Sequence, residues 1–332
     1  MPSRIPRVAV ITRTKDRPLM LKRAIRSVLG QTFEDWLHVI INDGGDPTTL
    51  SSLVSLCVDD YRGRLKVLHN EKSIGMQDAS NRAIRETDSE YVVIHDDDDS
   101  WHPSFLTECV GFLNRVGVDS TLQGVATQVV WVFEEIDRYG NIVELGRQDY
   151  FPFKEVSLFR TAGSNTFPPI AFLYRRRVHE HIGYFNQSFD ALGDWDFNLR
   201  FLSKFDIGVI DKKLALYHWR QRAAGVYGNT VTAGVEHHGQ LAVKMRNHYL
   251  RKDLEAGRMG LGFLLNVSET MHGHSAMLWD LTHKSNHTHH ELHRLHEMSR
   301  YFERITCDLC RLWHFKRFIE RAGRYLYQKL QM

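Results

Sequence analysis

The chain has 332 residues, 42% of them hydrophobic and 25% charged, which suits one large soluble domain or a domain with an appendage. The formal net charge of +3 is too small to argue for nucleic-acid binding, and no run approaches the roughly 20 apolar residues that span a bilayer. Four cysteines are too few for a disulfide scaffold, and the first residues contain no apolar segment typical of a signal peptide. We therefore expect a cytoplasmic protein with reduced thiols and no nucleic-acid partner.

Strand-like and helix-like segments alternate over the first hundred residues. Short apolar runs predict strands at 7–12, 37–45, 65–69 and 91–99. Apolar residues at helical spacing predict helices at 18–31, 47–60 and 76–87. Such alternation predicts an α/β fold with a mostly parallel central sheet and helices on both faces. Ligands of such sheets bind beyond the carboxyl ends of the strands, and the acidic residues Asp43 and Asp96–Asp99 follow two of these strands.

The rest of the chain gives a mixed pattern and then a helical one. A strand is predicted at 124–136 and a helix at 193–205, while three glycines in 255–263 indicate a joint. We place a catalytic domain at 1–234 and a mostly helical extension at 235–332. Apolar residues between 295 and 312 repeat at spacings of three and four, and 311–332 mixes aromatic with basic residues. These helices are candidates for homo-oligomerisation, for docking on the catalytic domain, or for peripheral contact with the inner face of a membrane.

Four consecutive aspartates in the sequence VVIHDDDDSW (92–101) end the fourth predicted strand. Adjacent carboxylates repel one another, and a hard divalent cation such as Mg²⁺ or Mn²⁺ offsets this repulsion while binding phosphate oxygens as further ligands. A solvated acidic turn is the alternative interpretation. The position directly after an apolar strand favours the metal site.

Five blocks of sequence resemble the family 2 glycosyltransferases of the GT-A fold, in the order and at the spacings of that family. They read VAVITRTKDRPLMLKRAIRSVLGQTFEDW, VIINDGG, NEKSIGMQDASNRAI, VVIHDDDDSWHPSFL and LGDWDFNLRFL, and together they cover roughly residues 5–220. The resemblance implies an inverting, metal-dependent transferase that uses a nucleotide-diphosphate sugar. It also implies the nucleotide-binding residues, which are Thr12, Arg13, Thr14, Asp16, Asp43, Asp96 and Asp97.

Particular roles follow from the resemblance. Asp43 matches the acid that accepts a hydrogen bond from a pyrimidine N3–H, although a turn aspartate before two glycines is the structural alternative. Asp96 is expected near the ribose and Asp98 at the metal, with Asp97 or Asp99 able to exchange roles with them. Asn81 is interpreted as a structural residue that ties its helix to the metal loop.

The block GDWD supplies the expected catalytic residue. Asp194 matches the family's general base, which removes the proton of the acceptor hydroxyl. Gly193 stands where the family usually carries Glu, which leaves the acceptor contact of that Glu unexplained. Asp196 is the fallback base, although two residues along a helix it faces elsewhere, and a helix N-terminal acid is the structural alternative for Asp194.

The block LALYHWRQR (214–222) provides candidates for the diphosphate end of the site. His218 is a candidate third metal ligand, with a packed histidine as the alternative. Arg220 and Arg222 are candidate phosphate clamps.

The sequence therefore predicts transfer of a hexosyl or deoxyhexosyl group from a UDP- or dTDP-sugar to a glycan or lipid-linked acceptor, in bacterial surface polysaccharide synthesis by analogy with the family. A catalytically degenerate scaffold protein is one alternative. A sugar-phosphate nucleotidyltransferase is a weaker one, because the loop TRTKDRP lacks the glycines that would cradle a phosphate.

Overall fold

The computed structural model of the chain describes residues 5–189, 191–220, 227–228, 235–257 and 260–284. The strands are β1 (Val8–Thr14), β2 (Trp36–Asp43), β3 (Leu65–Asn70), β4 (Tyr91–Ile94), β5 (Ser100–Trp101), β6 (Leu122–Ile136), β7 (Ile142–Asp149), β8 (Phe172–Arg175) and β9 (Asp206–Trp219). The helices are α1 (Pro18–Leu29), α2 (Pro47–Ser55), α3 (Val58–Tyr61), α4 (Met76–Arg85), α5 (Phe105–Val116), α6 (Leu158–Gly163), α7 (Val178–Ile182), α8 (Gly193–Leu202), α9 (Val235–Glu255) and α10 (Leu261–Lys284). A short 3₁₀ helix covers Pro169–Ala171.

The strands form one sheet in the order β3-β2-β1-β4-β8-β6-β9-β5, with β7 paired to β6. The four strands from the first hundred residues run parallel, as do β6 and β9, whereas β8, β5 and β7 pair antiparallel with their neighbours. The predicted α/β class with a mostly parallel central sheet is therefore confirmed. Predicted helix 47–60 is divided into α2 and α3 in the structure.

Strands β1, β2 and β4 are buried on both faces, which explains their largely apolar sequences. Val8, Val10 and Ile11 of β1 are fully buried, and β2 pairs along their whole length. Helix α1 turns its apolar residues toward this sheet and begins at Pro18, whose missing N–H suits a first helical turn.

Register brings the carboxyl ends of three strands to one edge. Ile11 of β1 lies opposite Ile94, the last residue of β4, and Thr14 lies opposite Asn42 near the end of β2. The chain leaves β4 directly into the aspartate run. Residues that follow β1, β2 and β4 consequently share one side of the sheet, as the alternation predicts.

The chain divides into two compact units, with the boundary between Glu269 and Thr270. The first unit extends this far because α9 buries Met245 and Tyr249 against α6 and α8. Gly262 begins α10 so close to α9 that a Cβ there would lie 2.0 Å from the backbone nitrogen of Leu250.

In the second unit the structure describes only residues 270–284. The apolar repeat at 295–312 and the basic, aromatic segment at 311–332 lie outside the described residues. No helix in the described part of the chain combines the length and the apolar character needed to cross a membrane.

Candidate active site

A cavity of about 540 Å³ opens at the carboxyl ends of β1, β2 and β4, and the first turn of α8 closes its other side. Its lining includes Arg17 and seven of the predicted site residues: Arg13, Thr14, Asp43, Asp96, Asp97, Asp98 and Asp194. Segments distant in sequence, from the first strand to the eighth helix, therefore converge on one space. This is where a parallel sheet is expected to bind its ligand.

Arginines from the loop after β1 hold the aspartate run. Arg13 donates to Oδ1 of Asp96 from Nε at 3.0 Å and from a terminal nitrogen at 2.7 Å. Arg17 donates to Asp97 and to Asp98, each at 2.8 Å. Neighbouring carboxylates are thus kept together by guanidinium groups, which also bind phosphate oxygens well.

Behind the aspartates lies a buried cluster of charges centred on Glu134 of β6. Arg23 and Arg220 donate to the Glu134 carboxylate at 2.7 and 2.6 Å, and Nδ1 of His218 lies 2.8 Å from it. Arg220 also binds Asp98. Glu134 and Arg220 have side chains that are 1% and 0% exposed, so the centre of this cluster is enclosed.

Charge and burial act in opposite directions on these acids. Burial alone raises the pKa of Asp98, but Arg17 and Arg220 together hold that pKa below its usual value. Burial likewise opposes ionisation of Glu134, yet the hydrogen bond to His218 and the charge of Arg23 lower its pKa to about 2. For Asp97, burial and the adjacent Asp98 outweigh Arg17 and raise the pKa to about 7.

The acidic residues suit a cation that takes most of its ligands from elsewhere. Among the described residues, no group of three or more His, Cys, Asp or Glu side chains is arranged to hold a metal by itself. Asp98 uses Oδ2 for both arginines, and Oδ2 of Asp99 is a buried oxygen with no hydrogen-bond partner among the described residues. A Mg²⁺ or Mn²⁺ ion bound through one or two carboxylates, water and a diphosphate fits this donor set.

Asp43 accepts four hydrogen bonds from the segment that follows β3. Asn70 and the backbone nitrogen of Ile74 donate to Oδ1 at 2.7 and 2.9 Å, while Ser73 and the nitrogen of Gly75 donate to Oδ2 at 2.8 and 3.0 Å. Burial opposes ionisation, but these four bonds hold the pKa of Asp43 below its usual value. Asp43 therefore shapes the wall of the cavity as an ionised carboxylate.

Asp194 lies on the opposite side of the cavity, in the first turn of α8. The side-chain amide of Asn165 donates to its Oδ2 at 2.8 Å, and Asn198 in turn donates to Oδ1 of Asn165 at 2.9 Å. Burial raises the pKa of Asp194 to about 6, against the opposing effects of its own helix N-terminus and of Arg13. A carboxylate with this pKa is ionised at neutral pH and is a stronger base than an exposed aspartate, which suits general-base catalysis.

Residues 9–183, more than half of the chain, match the family model described as glycosyl transferase family 2. The chain belongs to glycosyl transferase family 2. A curated relative, the uncharacterized glycosyltransferase YwdF of Bacillus subtilis, is 25% identical over 198 residues, which cover 58% of this chain and 67% of YwdF. A glucosyltransferase of Campylobacter jejuni, named for a GalNAc(5)-diNAcBac-PP-undecaprenol acceptor, is 30% identical over 29% of this chain and 30% of its own.

Solved structures confirm the GT-A fold of this transferase. Staphylococcus aureus TarS in complex with UDP-GlcNAc gives a TM-score of 0.55 at 20% identity, over 74% of this chain and 66% of TarS. The mannosyltransferase PcManGT of Pyrobaculum calidifontis, in complex with GDP-Man and Mn²⁺, gives a TM-score of 0.53 at 16% identity, over 85% of this chain and 73% of that one. At these identities the likeness concerns the fold.

Two residues expected at the nucleotide lie elsewhere in this transferase. The hydroxyl of Thr12 is 2.8 Å from Nε2 of His38, in the core beneath the sheet edge, and Thr12 is fully buried. Asp16 adopts a left-handed conformation at φ 53° and accepts the backbone N–H of Asp46 at 2.8 Å. Asp16 thereby joins the loop after β1 to the loop after β2, which positions Arg13 and Arg17 indirectly.

Gly193 makes room for a glutamine. A Cβ at position 193 would lie 2.2 Å from Cδ of Gln77, a residue of α4 that is 5% exposed. The place where the family's usual Glu would project is therefore occupied by the side chain of Gln77. The substitution that left an acceptor contact unexplained has a packing reason, and it brings an amide into the cavity wall.

Asp196 and Asn81 serve the fold. The carboxylate of Asp196 is fully buried, receives a hydrogen bond from the Tyr249 hydroxyl at 2.6 Å and pairs with Arg200 at 2.6 Å. Asn81 exchanges two hydrogen bonds with the backbone of Phe185, at 2.8 and 3.0 Å. The expectation that Asn81 ties its helix to the metal loop is corrected, because its partner is the segment that leads into α8.

The remaining candidates lie behind the aspartates or outside the described residues. His218 has both ring nitrogens engaged, since Nε2 is 2.8 Å from the hydroxyl of Ser100 while Nδ1 faces Glu134. Its backbone nitrogen donates to Asp99 at 3.0 Å. Burial lowers the pKa of His218, and the hydrogen bond and charge of Glu134 oppose this effect only in part. Arg222, the second predicted phosphate clamp, lies outside the described residues.

Sequence reasoning missed Glu134, Arg17, Arg23 and Gln77. Glu134 lies within a predicted strand in the sequence VVWVFEEI, where a charged residue is normally predicted to face solvent. A paired EE at the end of an apolar strand was the available indication. Only the tertiary structure shows that Glu134 faces inward and Glu135 outward.

Proposed function

We propose that this family 2 transferase catalyses metal-dependent transfer of a sugar, with inversion, from a UDP- or dTDP-sugar to a hydroxyl of a glycan or lipid-linked acceptor. The observation that carries the proposal is the arrangement of one cavity. Asp194, a half-buried base with a raised pKa, lies on one side, and the arginine-bound Asp96, Asp97 and Asp98 lie on the other. A nucleotide-diphosphate sugar held by the second group would present its anomeric carbon toward the first.

The diphosphate end of the site would be formed by carboxylates and guanidinium groups. Asp98, with Asp96 beside it, would hold a Mn²⁺ or Mg²⁺ ion, which supplies charge neutralisation for the departing diphosphate. Arg13 and Arg17 can exchange a carboxylate partner for a phosphate oxygen, because both ligands suit the same fork of donors. His218 and Arg220, anchored by Glu134, would support Asp98 and Asp99 from behind.

The base acts on the acceptor. Asp194 would accept the proton of the acceptor hydroxyl as that oxygen forms a bond to the anomeric carbon and the bond to the diphosphate oxygen breaks. The proton passes to the Asp194 carboxylate, so no free alkoxide forms. Asn165 fixes the orientation of this carboxylate during the step.

A pyrimidine donor is supported by the acceptor-only chemistry of Asp43 at the end of β2. The hydroxyl of Ser73 can rotate away from Oδ2, which frees a lone pair for a base N3–H. The TarS complex holds a UDP-sugar and the PcManGT complex a GDP-sugar, so the fold accommodates either base class. The choice in this chain therefore rests on Asp43.

The acceptor class is supported by relatives from bacterial polysaccharide synthesis, among them the glucosyltransferase that is named for an undecaprenol-linked acceptor. A cytoplasmic site with peripheral membrane contact through residues 311–332, or homo-oligomerisation through the same helices, remains a prediction from the sequence.

A donor screen tests the proposed function. Purified protein is incubated with UDP-, dTDP- and GDP-sugars in Mn²⁺, Mg²⁺ or EDTA, and release of nucleoside diphosphate is measured. We expect release from a pyrimidine donor that requires the metal and falls at least a hundredfold in Asp98→Asn. Release that continues in EDTA would contradict the metal assignment, and nucleotide binding without any release would favour a degenerate, binding-only protein.

A further inference from the structure

An aromatic wall, formed by Trp131, Tyr150, Tyr217 and Trp219, lines the cavity on the side of strands β6 and β9. Trp131 pairs in register with Tyr217, and Trp219 follows two residues later, so the three rings share one face of the sheet. Their centroids lie between 4.9 and 6.4 Å from those of their neighbours in the wall. Phe151, 68% exposed, extends the wall to the rim at 5.3 Å from both Trp131 and Tyr150.

This wall reaches the base at Tyr150, and its other end at Tyr217 approaches the aspartates, since after burial the charges of Asp99 and Asp98 raise the pKa of that phenol. Asp194 and Tyr150 are close enough that, after burial, the carboxylate charge is the next cause of a phenol pKa raised to about 12. The guanidinium and carboxylate groups that suit a nucleotide come from the loops after β1 and β4. A second ligand that meets Asp194 therefore enters along the aromatic rings.

The cavity also contains polar groups that are placed to meet hydroxyls. The amides of Asn165 and of the cavity-lining Gln77 provide polar atoms near Asp194. A pyranose ring has one face of C–H groups and a rim of hydroxyls, whereas an isoprenoid chain has no polar atom to meet these donors.

We propose that the aromatic wall is the acceptor subsite and that it binds a sugar ring through its C–H face. The acceptor is thus a saccharide whose terminal ring stacks here and presents a hydroxyl to Asp194. This inference rests on the proposed function and specifies its substrate class: the recognised part of the acceptor is carbohydrate, also where a lipid carries it. The energetic basis is the electron-rich face of each ring, which attracts the positively polarised C–H groups.

Variants of the wall test the inference with two readouts. Methyl glycosides of common hexoses and N-acetylhexosamines serve as acceptor probes, and farnesyl phosphate serves as a lipid without sugar. Binding of each probe is measured by intrinsic tryptophan fluorescence without donor, and transfer is measured with the donor found in the screen. Trp131→Ala and the exposed Phe151→Ala are compared with Tyr139→Ala, which removes an equally exposed aromatic ring (74%) at the hairpin tip.

We expect at least one methyl glycoside to bind and to accept sugar. Trp131→Ala should raise the KM for this glycoside about tenfold and Phe151→Ala about threefold, because a stacked aromatic contact is lost. The KM for the donor and the slow hydrolysis of the donor should stay within twofold of wild type, and Tyr139→Ala should change neither.

Other results overturn the inference and leave the proposed function standing. These are donor hydrolysis with no glycoside bound or used, an increase in KM that falls on the donor, or farnesyl phosphate accepted in place of sugars. Loss of folding in Trp131→Ala leaves Phe151→Ala to decide, because an exposed rim residue is not needed for the core. If wild type releases no nucleoside diphosphate, the proposed function fails, and glycoside binding by fluorescence still tests the wall.

Discussion

Asn165 offers a test of how the base is tuned, because its side-chain amide donates to Asp194. The Asn165→Ala substitution removes a hydrogen bond that stabilises the ionised carboxylate more than the neutral acid. The pKa of Asp194, already raised to about 6 by burial, should therefore rise further. As the pH is lowered, activity that requires ionised Asp194 should therefore begin to decline at a higher pH than in wild type.

The size of the shift follows from the kind of bond. A hydrogen bond to a charged group contributes about 1.5–3 kcal/mol and one to a neutral group about 1 kcal/mol. Asp194 is half-buried, so water replaces part of the lost bond, and we expect about 0.7–1.4 kcal/mol between the two protonation states. One pKa unit corresponds to about 1.36 kcal/mol, which gives a shift of about half a unit to one unit.

The assay is the rate of nucleoside diphosphate release between pH 5 and 9 at constant metal. Relative to wild type, the rate of Asn165→Ala should fall as the pH is lowered through 6 toward 5 and should recover toward pH 8. The pKa of Asp97, raised to about 7, lies in the same pH range. The midpoint of one profile therefore does not identify Asp194, whereas the difference in midpoint between wild type and Asn165→Ala does. Asn198→Ala, which frees Asn165 to turn, should give a smaller shift in the same direction. An acid limb at the same pH in all three proteins would refute the reasoning.

Glu134→Gln removes the carboxylate that faces the guanidinium groups of Arg23 and Arg220 and the ring of His218, so we expect unfolding in urea to show a loss of about 3 kcal/mol at pH 7 and a raised donor KM. The difference in stability should shrink between pH 4.5 and 2, because wild type loses the same stabilisation as the Glu134 carboxylate, whose pKa is lowered, becomes protonated. Glu135→Gln, at the exposed neighbour, should leave the stability unchanged. Equal losses in the two variants would contradict the assignment. Gly193→Ala should lower the free energy of unfolding by about 1–3 kcal/mol and reduce turnover, because its Cβ meets Gln77. Adding Gln77→Ala to Gly193→Ala should restore the stability, and a double variant as unstable as Gly193→Ala would mean that Gln77 is not the obstacle. As a control, Gly111→Ala should stabilise the protein by about 0.5–1 kcal/mol, because a Cβ there makes an ordinary contact at 3.6 Å.

Local patterns in the sequence were sufficient to predict the sheet and the edge where the site lies. Val8–Thr14 and Tyr91–Ile94 are apolar runs of strand length, and in a parallel sheet their carboxyl ends must meet. This geometric necessity brought the aspartate run into the cavity, and the resemblance added Asp194 from a segment a hundred residues away.

Side-chain partners could not be predicted in the same way, because they depend on packing between distant elements. Glu134 lies just past the β6–β9 pairing, at a shift in the register of β6 against β7, which no local pattern specifies. Thr12 shares a strand face with the cavity-lining Thr14, but its hydroxyl lies deeper in the core, 2.8 Å from Nε2 of His38. The packing of α9 on α8 depends in the same way on a distant partner, because Tyr249 of α9 reaches Asp196 of α8 by a tertiary hydrogen bond.

The proposed role of Asp194 as the base of a sugar transfer is tested by a comparison of wild type with Asp194→Asn. Wild type and Asp194→Asn are assayed side by side for nucleoside diphosphate release from the active donor with Mn²⁺, and nucleotide binding is measured by calorimetry. Asn keeps the size of the side chain and its place beside Asn165 but cannot accept a proton. The account predicts unchanged nucleotide affinity with turnover reduced by at least a hundredfold. Turnover within a few-fold of wild type would show that another group removes the proton.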